Sequence, residues 1–578
     1  MRNNIALIVL LFVSGLIFGQ DKSKDTIGTE VINVVKPYTP TVSDAFKIKT
    51  APVVDARSIS AKKPIVYSIF SAPVASTFTP DKGNAKILRV NPSPPVYENY
   101  VSAGFGNFST PGGELFLHSN SNRYNDFGLF FNYQSSTGGI KDVVLDDNYL
   151  DTRLDLYYTQ ENRDYEWQIN AGGHLQHYNW YGLSDQINYT QPVVESVEES
   201  QKYAAFYAGG KIDYFDSFFK GGTLETFRFS DTYKSNEIYL LAKPQFEIPI
   251  ASEYITADTR IEFLKGRFEN DYALTDKMNY TFFTVGFSPS LEILRDNLTI
   301  NLGVHLRYSS GNGDDNENKG YYYPNVTASY ELIDQVVTVY TGVTGDLHQN
   351  SYRGFAEENP YVSPTLNMKR TDEQYNAFLG LKGKLASNIS YNVKGSYQSE
   401  RDKPLYKLNP SLTNGTETVE VGYRAGNSFQ VVYDTIKTIR GFAEVSVDFS
   451  KQLKFGGNVT VQTFETSSQD EAWNLPNLKI TGFANYTNDH WFAGADVFYV
   501  GNRKDEFIMD SQISPYTQSE ISVGDYIDLN FNGGYQFTDK LSVFAKVNNI
   551  LSTSYEKYSN FRVQGLQVFG GLTYKFDF

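Results

Sequence analysis

The 578-residue sequence contains no cysteine, which excludes structural disulfides, zinc–thiolate sites and a lipid-modified cysteine at a mature N-terminus. Histidine and methionine are scarce, at 6 and 4 residues. After the N-terminal segment no apolar run reaches the roughly 18 residues that a membrane-crossing helix needs. Cations are outnumbered, with 51 Lys and Arg against 66 Asp and Glu and a formal charge of −15, a balance that opposes binding to nucleic acid. The Gly-x-Ser-x-Gly elbow of serine hydrolases does not occur.

What the chain has in abundance is aromatic residues and glycine: 43 Tyr, 41 Phe and 45 Gly. That balance favours strands with interfacial aromatic girdles over helix bundles. A mean hydropathy of −0.39 would oppose helical membrane insertion. It is compatible with a barrel, in which each strand alternates a lipid-facing and a lumen-facing side chain, so that only one face is apolar. Leu298, Ile300, Leu302, Val304, Leu306 and Tyr308 form one such face, with Asn297, Thr299, Asn301, Gly303, His305 and Arg307 between them. The segments around Tyr375–Leu385 and Ala443–Phe449 repeat the pattern.

Three regions follow. Residues 1–20 read as a signal peptide, with Arg2 ahead of an apolar core from Ile5 to Phe18. Residues 21–98 carry nine of the 21 prolines, which opposes a compact core and predicts an extended periplasmic arm rather than a folded plug. Residues 99–578 alternate period-two stretches with short and long connections, the pattern of a transmembrane antiparallel β-barrel. Tight polar turns are expected near Asn125, Asn162, Asp216, Ala251, Arg295, Asp334, Ser387, Lys451, Asn488 and Asp539. Ten turns on one rim give about 22 strands, or 20 if the turn near Asp216 is discounted. The connections around 181–201, 310–320, 346–371, 401–436 and 503–523 are longer and are expected on the outward rim, where such loops carry recognition or close the pore.

The segment Val547-Asn548-Asn549-Ile550-Leu551, then Tyr555, then Gly570-Gly571-Leu572-Thr573-Tyr574-Lys575-Phe576 resembles the barrels of TonB-dependent receptors. The stretches Val34–Pro40 and Gly139–Asn148 resemble a plug-less barrel group from Bacteroidota that usually carries the same label. The resemblance implies a cell outer-membrane location with arm and C-terminus periplasmic, and a part in substrate transport across that membrane. The alternative it leaves open is a non-transporting barrel that scaffolds a larger outer-membrane complex. Implied partners are outer-membrane lipid, the barrel-assembly machinery, and TonB or another outer-membrane or periplasmic protein. Leu572, Tyr574, Phe576 and Phe578 resemble the C-terminal assembly signal. Glu30, Val31, Ile32, Asn33, Val34 and Val35 resemble a TonB box, which would pair edge-on with its partner; the bland alternative is a solvated or barrel-docked linker. Transporters of the family fill the lumen with an N-terminal plug, whereas here 78 residues separate the leader from the first strand. Inward-folded loops, the arm or a partner must then fill a lumen of this width.

Chemistry has few candidates, and no catalytic residue, metal site or cofactor is expected. His174 and His177, three apart on a strand, point to opposite faces. Asp346 with His348 lacks the second carboxylate pair of an outer-membrane protease, and Asp489 with His490, near a periplasmic turn, is at the wrong rim for external substrates. Asp314, Asp315, Asn316, Glu317 and Asn318, and Asp146, Asp147 and Asn148, hold hard oxygens without calcium-loop spacing, and read as solvated loops. Tyr321, Tyr322, Tyr323, Tyr178 and Trp180 read as girdle aromatics, with contact to a sugar or partner as the alternative.

Overall fold

The computed structural model describes residues 97–578 except 123, 251–252, 313–317 and 512–514. The leader, the proline-rich arm, the Glu30–Val35 stretch and most of the Asp314–Asn318 loop lie outside the described residues. Within them, the alternating segments form one antiparallel sheet of 22 strands. It closes on itself because the first strand, Asn99–Gly106, pairs with the last, Gln567–Phe576, from Asn99 opposite Phe576 to Gly106 opposite Phe569. Closure leaves no unpaired edge, the condition for crossing hydrocarbon with strands.

Nine of the ten predicted turns occur within two residues of their expected places, the one at Ala251 lies outside the described residues between strands that end at Ile250 and begin at Glu253, and the connection at 215–218 fixes the count at 22. These ten connections, two to four residues long, line one rim. Asp296 (φ 45°) and Gln335 (φ 59°) take the left-handed backbone that such turns require. The opposite rim carries the long connections, up to residues 501–525. At a strand spacing of about 4.8 Å and a tilt of about 40°, the ring is about 40 Å across.

The two faces separate as the alternation demands. Leu302, Leu306 and Tyr308 are exposed on the outside, while Arg307 on the opposite parity is buried inside. Leu224, Ile238, Leu240, Ile261, Phe283 and Val285 continue a belt of exposed apolar side chains far larger than a soluble protein tolerates. On the inside, aromatic rings lie flat over cross-strand glycines. A Cβ on Gly128 would stand 2.1 Å from the Tyr157 ring, and one on Gly172 2.5 Å from the Tyr207 ring, so only glycine leaves room for these rings against the wall.

Candidate functional site: a cap across the mouth and a polar lumen wall

Three long loops have roots spread around the ring. Residues 180–199 join the fifth and sixth strands (Tyr165–Asn179 and Ser200–Tyr214), residues 350–369 the thirteenth and fourteenth (Val337–Gln349 and Arg370–Ala386), and residues 549–566 the twenty-first and twenty-second (Leu541–Asn548 and Gln567–Phe576). The roots are eight, eight and six strands apart in a ring of 22. Their tips nevertheless meet. Phe561 stacks on Tyr361 at 3.7 Å between ring centroids and meets Tyr181 edge-on at 5.1 Å. The Tyr181 and Tyr361 hydroxyls are 3.2 Å apart, and Tyr181 also donates to the Arg562 carbonyl at 2.8 Å. Arg562 completes the junction by donating to Asp185 at 2.6 Å. Loops rooted at three sides of a ring can touch only near its axis, so this aromatic junction lies over the middle of the mouth.

The loop at 409–428 packs in behind the junction. Asn427 donates to the Trp180 carbonyl at 2.8 Å and Thr190 N–H to the Gly415 carbonyl at 2.8 Å. A Cβ on Gly422 would sit 1.8 Å from the Glu198 carbonyl oxygen, so glycine permits backbone-to-backbone contact between these two loops. Tyr352, Val362, Leu366, Met368, Leu408 and Phe429 are buried in the same cluster. Tyr203, Phe229, Leu264, Phe268 and Tyr280 of the barrel strands belong to the same cluster, so the apolar core of the cap is continuous with the inner wall at the mouth.

Two buried carboxylates pin this cap. Glu237, at the loop end of the eighth strand (Asn236–Ile250), is fully buried. It accepts the N–H groups of Tyr352 at 2.8 Å and Arg353 at 3.1 Å, and the Tyr280 hydroxyl at 2.8 Å. Those N–H groups open the short helix α1 (Tyr352–Glu358), where unpaired donors and the positive end of the helix dipole favour an anion. Asp505 lies in the hairpin formed by Arg503–Met509 and Thr517–Val523, outside the barrel sheet. It accepts Leu408 N–H at 3.0 Å, Glu506 N–H at 2.8 Å and the Asn474 amide at 2.9 Å. Burial pushes its pKa up to about 6, against the lowering effect of those hydrogen bonds.

Below the cap the lumen wall is polar and internally paired. Arg307 grips Asp346 through Nε at 2.8 Å and Nη2 at 3.3 Å, and Arg260 bridges Glu262 at 2.9 Å. His348 lies 2.8 Å from Glu373, a carboxylate partner that sequence spacing alone misses because it comes from the adjacent strand. Arg307 turns Asp346 into a structural ion-pair partner instead of a partner for His348. Among the described residues no group of three His, Asp or Glu could hold a metal ion.

The remaining candidates separate. His174 meets Asp151 at 3.2 Å and His177 meets Ser200 at 3.0 Å, on opposite faces as the spacing predicts. Asp147 accepts the Ile140 N–H at 2.6 Å, fastening its own loop. Trp180 is a finding against the girdle expectation: it is fully buried in the cap, 5.5 Å from Tyr233 and 5.8 Å from Tyr423. Tyr322 is exposed, while Tyr321 and Tyr323 stack at 6.1 Å. His490 lies in the short-turn connection 488–490, away from the cap. Leu572, Tyr574 and Phe578 are exposed on the outer face, and Phe576 stacks on Tyr574 at 6.1 Å.

A closed ring of 22 antiparallel strands with an apolar outer belt defines the class: a transmembrane antiparallel β-barrel. No family model matches the sequence, and no curated protein is similar to it. Among solved structures the chain is similar to the pyoverdine outer membrane receptor FpvA from Pseudomonas aeruginosa PAO1, at 12% identity over 83% of this chain and 78% of that one, with a TM-score of 0.59. It is similar to the siderophore receptor PirA from Acinetobacter baumannii at 11% identity over 83% and 80%, TM-score 0.59. It is also similar to the FrpB iron transporter from Neisseria meningitidis at 10% identity over 83% and 81%, TM-score 0.61. At such identities the likeness is one of fold.

Proposed function

We propose that this chain is a non-enzymatic outer-membrane barrel of the TonB-dependent-receptor type that takes part in moving a substrate across the outer membrane through its lumen, with the three-loop cap as the outer gate. The observation that carries this reading is the junction of Tyr181, Tyr361 and Phe561 above a polar-walled lumen. In this reading the long-loop rim faces outward, and residues 21–98 and the C-terminus lie on the periplasmic side. Outer-membrane lipid surrounds the belt, and Leu572, Tyr574, Phe576 and Phe578 serve the assembly machinery. Glu30–Val35 offers a strand to TonB or another periplasmic partner. The plug-less Bacteroidota type fits a barrel whose mouth is closed by its own loops.

The test is single-channel conductance of the purified barrel, with and without residues 21–98, alongside a Phe561→Ala variant. Channels that appear when the junction is loosened support the gate. A second reading, a sealed barrel scaffolding a larger complex, draws on the hydrophobic cluster that anchors the cap to the barrel strands at the mouth. It predicts silence in all forms and co-purification of a partner in mild detergent.

A further inference from the structure

The net charge of −15 makes an exposed, unpaired cluster of cations on the bilayer-facing wall conspicuous. Phe206, Arg228, Ile238 and Lys265 are direct cross-strand neighbours on the sixth, seventh (Phe219–Asp231), eighth and ninth (Glu253–Phe268) strands. Phe206 and Ile238 are exposed on the outer face. Arg228 and Lys265 share that face, because their positions have the parity of Leu224 and Ile261 in their own strands. Nearer the long-loop rim are Arg267, two residues beyond Lys265 and opposite Asn236, and Lys202, four residues beyond Phe206 and opposite His177. All four cations are exposed. The side chains of Lys202, Arg228 and Lys265 make no ion pair or hydrogen bond among the described residues.

Their height on the wall is informative. Below the row the outer face is apolar through Leu224, Leu240, Ile261 and Phe283. At the short-turn end Phe218 and Phe219 pack against Phe246. From Phe219 to Arg228 the chain climbs about 23 Å, taking a rise of about 3.3 Å per residue and a tilt of about 40°. That is the height of the apolar belt of such barrels, about 25 Å. The cations therefore stand where hydrocarbon ends and headgroups begin on the long-loop side, where their stems can lie on the apolar wall and their charges reach outward. Lipid-facing charge is tolerated at that level and not below it.

We infer that the face formed by Lys202, Arg228, Lys265 and Arg267 is a binding surface for the phosphorylated headgroup of an outer-leaflet saccharolipid. Arg228 and Lys265 are two strand spacings apart, about 10 Å, which suits a headgroup carrying more than one phosphate. Guanidinium and ammonium groups on either side of Ile238 bind phosphate oxygens while Phe206 and Ile238 meet the acyl chains. The inference rests on the outer-membrane reading with the long loops outward.

The test uses the purified full chain in detergent, stripped of lipid and followed by native mass spectrometry. The probes are bis-phosphorylated lipid A, its dephosphorylated form, phosphatidylglycerol and inorganic phosphate. The wild type is expected to retain the bis-phosphorylated form, and the K202Q/R228Q/K265Q variant to bind it about tenfold more weakly or worse. K202R/K265R and the lumen-side variant K394Q should bind as the wild type does. Equal binding by the triple variant, equal binding of the dephosphorylated form or phosphatidylglycerol, or displacement by millimolar inorganic phosphate would each overturn the assignment. Should the triple variant lose the heat-modifiable mobility of a folded barrel, R228Q alone decides, with a several-fold loss expected and no change refuting. Membrane fractionation tests the underlying reading separately: recovery outside the outer membrane would sink that reading whatever the lipid titration returns.

Discussion

Truncating Phe561 to alanine removes the ring that holds three loops together. Phe561 is 1% exposed and touches Tyr361, Tyr181 and Phe429 at centroid distances of 3.7, 5.1 and 5.8 Å. Removing a buried phenylalanine typically costs about 3–5 kcal/mol, cavity included. Here the cost falls on the equilibrium between a joined and a parted cap, because the barrel sheet keeps every pairing. At about 1.4 kcal/mol per tenfold, the parted population should rise by roughly two to four orders of magnitude. Hydrogen exchange read by peptide mass spectrometry is the assay. Amides in 180–199, 350–369 and 549–566 should all exchange faster in Phe561→Ala, while strand amides such as those in 298–308 stay protected. Faster exchange confined to 549–566 would refute the idea that the junction clamps all three loops. Parted loops with unaltered conductance would show that the cap is not the barrier.

Three further outcomes are expected. Glu237→Gln keeps the shape but replaces one of the two oxygens that accept the N–H groups of Tyr352 and Arg353 with an amide that donates, and should weaken protection of 352–358 by about 1–3 kcal/mol; unchanged exchange there would remove Glu237 from the latch. Asp505 has a folded pKa of about 6, above its ordinary value, so the folded cap binds a proton that the unfolded chain does not hold between those pH values. Its ionisation thus costs the cap roughly 3 kcal/mol at neutral pH, and protection of the residues around Leu408 and Asn474 should rise as pH falls from 7 to 5. Asp505→Asn should flatten that dependence, and identical slopes in the two proteins would refute it. Replacing Phe578 by aspartate should lower the yield of heat-modifiable, membrane-inserted barrel without altering the stability of the barrel that does assemble; an undiminished yield would dismiss the assembly-signal reading.

The wall of this protein was legible in sequence because its determinants are local. Residues such as Arg295-Asp296 and Asp334-Gln335 announce their turns, and the alternation from Leu298 to Tyr308 declares which side chains meet lipid. The cap was not legible, since Tyr181, Tyr361 and Phe561 are separated by about 180 and 200 residues and nothing in their neighbourhoods encodes a meeting. Glu237 looked like any lumen-facing polar residue until helix α1 supplied its partners. Trp180 misled because a tryptophan just past a strand is as good a girdle residue as a core one. Arg228 and Lys265 became a pair only once strand register placed both beside Ile238.

The seam between the first and last strands has a consequence for how the molecule comes into being. Asn99 lies opposite Phe576, and Glu98 N–H donates to the Asp577 carboxylate at 2.8 Å, so the two ends of the wall adjoin. A ring of this kind has no intrinsic starting point. A circularly permuted gene that joined residues 97 and 578 and opened instead at the turn between Asn488 and His490 would specify the same pairings. In the natural order this ladder joins segments about 470 residues apart, so the pairing that closes the ring is the one with the greatest sequence separation in the sheet.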